Sequence, residues 1–119
     1  MHIEIVEQNE KRIAVVTGSK VITDLQSALD LVMMLRYTYD TDTMAIDKKA
    51  VAEEFFILSY GLAGEILQKF VTYHVRVAFF GDFTRYTSKP LHDFIYESNQ
   101  GKTVFFMPTQ EEAVAKLAE

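Results

Sequence analysis

The chain has no cysteine. That excludes a disulfide scaffold, a thiol nucleophile and any thiolate-ligated metal, and it fits a reducing compartment such as the cytoplasm. It has no apolar run of about 18 residues, the least that crosses a bilayer as a helix, so no membrane segment is expected. The first residues, Met1 to Glu7, alternate apolar and polar side chains and include two acids. A secretory signal needs a basic start and an apolar centre, and neither is there. Positive charge is also in deficit. Lys and Arg number 12 against 17 Asp and Glu, a formal net charge of −5. Such a surface repels phosphate backbones. Arg76, Arg85, Lys89 and Lys102 are scattered among acids, so no nucleic-acid partner is expected.

What is present is an ordinary globular composition, 49% hydrophobic and 24% charged over 119 residues. That length predicts a single domain over residues 1–119, with enough apolar surface for a core without staples. Residues 2–7 alternate with period two and read as a strand. Gln8 to Lys11 is polar and turn-forming, and Arg12 to Thr17 is a strand apolar on both faces. The pair predicts a β-hairpin whose first strand lies at a sheet edge and whose second lies deeper.

Thr23-Asp24-Leu25-Gln26 has the pattern of a capping box, and Leu25, Ala28, Leu29, Val32 and Leu35 follow at helical spacing. Met44-Ala45-Ile46 reads as a short buried strand. Residues 50–60 fit either a helix or a packed loop. Leu62, Ile66, Leu67, Phe70 and Val71 form the next helical stripe, with Gly64 expected to bring that helix close to the sheet. Val75 to Phe80 is a strand apolar on both faces, with Phe79 or Phe80 expected against the helices. Ser88 and Pro90 open a helix that stops at Asn99-Gln100-Gly101. Thr103 to Met107 is the last strand, and Thr109 to Glu112 is a second capping box opening a C-terminal helix. The expected fold is α/β: a mixed five-stranded sheet, an N-terminal β-hairpin followed by strand–helix units, parallel after the hairpin, with about four helices.

The segments Leu62 to Phe70, Gly81-Asp82-Phe83, Tyr86-Thr87-Ser88 and Asp93 to Glu97 carry a resemblance. In them the whole chain resembles the bacterial family called domain of unknown function 4180. The element order is also similar, more distantly, to the STAS domains of anti-sigma-factor antagonists. There a strand ends in an Asp-Ser-Ser-Gly-Leu-like turn that opens a helix, and one serine is phosphorylated. The corresponding stretch here is Leu58-Ser59-Tyr60-Gly61-Leu62, with Leu58 in place of the Asp and a single Ser. The STAS-like resemblance implies a regulatory module with a protein partner rather than an enzyme, and points to Ser59 or Tyr60 as its switch residue.

Other constellations have plainer explanations. His2, His74 and His92 lack the spacing of a helical metal site, so no metal and no cofactor is expected. Glu53 and Glu54, adjacent on a helix, would point about 100° apart and form no acid/base pair. Gly61-Leu62-Ala63-Gly64 lacks the Lys-Ser/Thr of a phosphate loop. The loop after the fourth strand is different, because ligand sites in α/β sheets lie beyond the carboxyl ends of strands. Asp82, Arg85, Tyr86, Ser88 and Lys89, with Thr84 among them, are therefore the candidate binding residues.

Two functional readings follow. One is a regulatory, protein-interaction module that docks on this loop and the 58–61 turn. The other is a small-ligand-binding domain or minor enzyme using residues 82–92 with Asp47-Lys48-Lys49. Glu4 and Glu7 discourage pairing at the edge strand, so a homodimer would use a helix face or loop.

Overall fold

The chain turns back at Asn9 and Glu10, which both take the left-handed conformation, with φ of 55° and 65°. A two-residue type I′ loop needs positive φ at both positions, and its twist matches that of the flanking strands. β1 (His2–Gln8) and β2 (Lys11–Thr17) accordingly pair antiparallel, from His2 opposite Thr17 to Gln8 opposite Lys11. The computed structural model describes residues 1–119. In it β3 (Thr43–Asp47), β4 (Arg76–Phe80) and β5 (Val104–Met107) follow β2 in parallel, giving one five-stranded sheet in the order β1-β2-β3-β4-β5.

The crossovers carry α1 (Leu25–Tyr39), α2 (Leu62–Thr72) and α3 (Lys89–Asn99), and α4 (Gln110–Leu117) ends the chain. A parallel sheet laid down in sequential order, with every crossover of one hand, receives all of them on the same face. The core divides that way. Val16, Ile46, Phe79 and Phe106 pack with residues of α1, α2 and α3. Their strand neighbours Val15, Ala45, Ala78, Phe80 and Phe105 pack under α4. Both Phe79 and Phe80 therefore face helices, on opposite sides of the sheet. Ala45 and Ala78, on the central strands, leave room for α4 to lie close. None of the helices is long and apolar enough to cross a membrane.

Four local expectations change. The cap of α1 is Asp24, not Thr23. Its carboxylate accepts the Ser27 N–H at 2.8 Å, and Ser27 Oγ accepts the Asp24 N–H at 3.1 Å. A carboxylate suits the positive end of a helix better than a hydroxyl. Residues 48–60 are neither a helix nor a plain loop, but three short 3-10 turns: Lys48–Ala50, Glu53–Phe56 and Leu58–Tyr60. This lets the adjacent Phe55 and Phe56 both be buried. Gly64 is exposed, and a Cβ there would meet nothing within 4 Å, so it allows no close approach. Val71 is 54% exposed, its place in the stripe taken by Ala63. Thr109 does cap α4: Oγ1 accepts the Glu112 N–H at 3.2 Å and donates to the Glu112 carboxylate at 3.0 Å.

Candidate functional site

A sheet built in strictly sequential order never reverses direction, so it has no switch point where crossovers diverge to opposite faces. What the parallel strands share is a rim. Asp47, Phe80 and Met107 stand side by side at the carboxyl ends of β3, β4 and β5. The chain leaves β3 into the first 3-10 turn, capped by Asp47 through the Lys49 N–H at 2.9 Å. It leaves β4 into the loop 81–88.

Lys48 and Tyr86 join these two exits. Gly81 has φ of 146°, a conformation that side chains rarely adopt, and a Cβ on it would lie 2.9 Å from Lys48 Cγ and Cδ. Glycine there lets the lysine stem cross the end of β4. The ammonium donates to the Tyr86 hydroxyl at 3.0 Å and lies 4.8 Å from the centre of its ring. The same hydroxyl donates to Glu53 Oε2 at 3.2 Å. The Tyr86 ring stacks on Phe56 at 5.5 Å and lies nearly parallel to Phe83 at 6.3 Å. Tyr86 is thus a half-buried keystone rather than a loose loop-tip side chain. Lys48, Glu53 and Phe56 carry this arrangement with it. Their place was readable in part, because Lys48 follows the strand beside β4. Phe56 and Glu53 were hidden in the ambiguous stretch 50–60.

The loop 81–88 separates two grooves. Its first half, with α3 and the end of β5, lines a groove of about 530 Å3 around Asp82, Phe83, His92, Tyr96 and Phe106. Asp82 Oδ1 accepts both the Thr84 hydroxyl at 2.5 Å and the Thr84 N–H at 2.9 Å. The Thr84 hydroxyl, then its N–H, hold the Asp82 carboxyl below the ordinary carboxylate value, and Arg85 and Lys48 add to this from a distance. His92 Nε2 donates to the Tyr86 carbonyl and ties α3 to the loop.

The second half of the loop lines a groove of about 660 Å3 with Phe56, Ile57 and Ser59 on one side and Arg85, Tyr86 and Ser88 on the other. This brings Ser59 and Arg85, 26 positions apart in the sequence, to one cleft. Arg85 is exposed and forms no ion pair. The hydroxyl of Ser88 is taken up as the cap of α3, accepting the Leu91 N–H at 3.3 Å. Tyr60 is 66% exposed and lines neither groove. Gly61 is the cap residue of α2 and supplies no side-chain bond, and Ser59 does not act as that cap. Lys89 is not drawn in either. It pairs with Asp93 at 2.7 Å on the outer surface of α3, and that hydrogen bond raises its pKa above the ordinary lysine value.

Sheet, rim and paired grooves define a singly wound α/β fold with two clefts at its strand ends. The chain belongs to the family described as domain of unknown function DUF4180, whose family model matches residues 8–117. No curated protein and no solved structure matches it.

Proposed function

We propose that the chain is a regulatory, protein-binding module of the cytoplasm, its 119 residues acting as one domain, with its docking surface on the rim at the carboxyl ends of β3, β4 and β5. The observation that carries this reading is the groove between the 57–59 turn and the 85–88 loop. It joins an exposed Ile57, 53% accessible, to an unpaired Arg85 and the Ser59 hydroxyl. An apolar anchor beside a free guanidinium is the composition of a recognition surface. The STAS-like element order supports a partner-binding role for the same turn. A phosphate on Ser59 would bring a charge of about −2 to the groove that Arg85 lines, so the guanidinium is a ready counter-ion for it.

A photo-crosslinking residue at position 57 or 85 tests this, with position 111 on α4 as the reference, in lysate of the source organism. Trapping of one protein at 57 and 85 but not at 111 is expected. Equal trapping at 111, or none at 57 and 85, refutes the docking surface.

The neighbouring groove favours a second reading, a small-ligand site. Its 530 Å3 falls within the roughly 300–1,000 Å3 of such sites, and it combines an aromatic floor with a few polar groups.

A further inference from the structure

The groove between residues 81–84, α3 and the end of β5 has a definite chemical polarity. Its floor is aromatic. Phe83 and Phe106 meet edge to face, with centres 5.5 Å apart and planes at 83°. Phe106 is 4% exposed and stacked on Phe79 at 5.1 Å, so the corner between the two rings presents mainly the half-buried Phe83 ring to a ligand ring. Tyr96 of α3, 59% exposed, and Pro108 flank the corner.

The mouth of the groove is anionic. Asp82, an exposed residue, is the only carboxylate lining it, and both Thr84 bonds go to Oδ1, which leaves Oδ2 with no protein donor. The nearby cations act on it only from a distance. Lys48 is committed to the Tyr86 hydroxyl, Arg85 lines the other groove, and neither forms an ion pair with Asp82. A fixed carboxylate with one free oxygen, beside an aromatic corner, is complementary to a cation carried on a flat apolar body.

We propose that this groove binds a small aromatic amine, its ring in the corner of Phe83 and Phe106 and its ammonium on Asp82 Oδ2. The proposal rests on the small-ligand reading and names the ligand class for it. An aromatic carboxylate of the same shape meets like charge at Asp82. An alkyl amine satisfies the carboxylate but leaves the ring corner wet.

The test uses three indole probes that differ only at the end of a two-carbon arm: tryptamine, the alcohol tryptophol and 3-indolepropionate. Each is titrated into the whole chain at neutral pH while backbone amide resonances are followed. Tryptamine is expected to shift the amides of Phe83, Ile95 and Phe106 and to leave those of β1 in place. It should bind about tenfold more tightly than 3-indolepropionate. Asp82→Asn keeps an acceptor for Thr84 but removes the charge. It should weaken tryptamine about fivefold and leave tryptophol unchanged. Propionate binding as well as tryptamine, or tryptamine binding untouched by Asp82→Asn, overturns the amine assignment while leaving a small-ligand groove. No shift at these amides with any probe overturns the groove as a ligand site altogether.

Discussion

The Asn99 side chain takes up both backbone groups of Phe106: its Nδ2 donates to the Phe106 carbonyl at 3.1 Å, and its Oδ1 accepts the Phe106 N–H at 2.8 Å. β5 is an edge strand, and Phe106 pairs on its other side with Phe79 of β4. The last turn of α3 therefore supplies one rung of a strand that is not there, and closes the edge nearest the grooves. Asn99→Leu leaves a donor and an acceptor of Phe106 unsatisfied. It should cost about 2–3 kcal/mol in urea unfolding. Asn99→Asp keeps the acceptor and should cost less.

Tyr86 is held by its ring and by its hydroxyl. Tyr86→Phe keeps the stack on Phe56 and loses only the bridge between Lys48 and Glu53, so about 1 kcal/mol is expected. Tyr86→Ala loses both and should cost about 2–3 kcal/mol, below the value for a fully buried ring. Arg85→Ala touches neither element of this and should leave the melting temperature within about a degree. It is the cleaner probe of docking.

The ionisation of Asp82 is tied to its hydrogen bonds with Thr84. Its folded pKa is lowered, so the hydrogen bonds of the ionised carboxylate to Thr84 are present above the ordinary carboxylate value and are lost as pH falls through the lowered one. The side-chain carboxyl carbon of Asp82, followed by NMR from neutral to acid pH, should show a midpoint below that of a free aspartate. Thr84→Ala should move it back up, because the hydroxyl is the main cause of the shift.

Two glycine exchanges of opposite sense should both stabilise. Glu10→Gly relieves a side chain held at φ 65° in the hairpin loop and gives Asn-Gly, the favoured pair for that turn. Gly64→Ala adds a helix-forming residue where a Cβ meets nothing. Each is expected to add about 0.5–1 kcal/mol by urea unfolding. A loss at Gly64 would mean that its surface is in contact with something.

The sheet was legible because its strands are buried on both faces, and continuous runs such as Ile13 to Val16 and Val77 to Phe80 leave few other interpretations. Ser88, Pro90 and Thr109 marked helix starts through chemistry local to a few residues. The rim was legible as a place, and the loop 82–89 does lie there. How its side chains divide was not. Ser88 and Lys89 are absorbed by α3, while Lys48, expected beside this loop with Asp47 and Lys49, is joined by Glu53 and Phe56 through contacts 30 and more residues apart. Such contacts depend on strand register and leave no periodicity in the chain. The 3-10 turns around Phe55 and Phe56 hid for the same reason, since two adjacent buried aromatics match neither a helix nor a strand pattern.

α4 follows every strand in the chain, yet it alone covers one face of the sheet. Neighbouring strands are consecutive in the chain, but each parallel pair must close a long helical crossover before it forms. The side bearing Ile13, Val15, Ala78 and Phe80 stays wet until residues 110–117 arrive. A sheet without α4 has one apolar side open to water, the kind of surface that chaperones hold. A bond from Asn9 Nδ2 to the Ala118 carbonyl at 2.8 Å, across 109 residues, ties the end of α4 to the turn of the N-terminal hairpin.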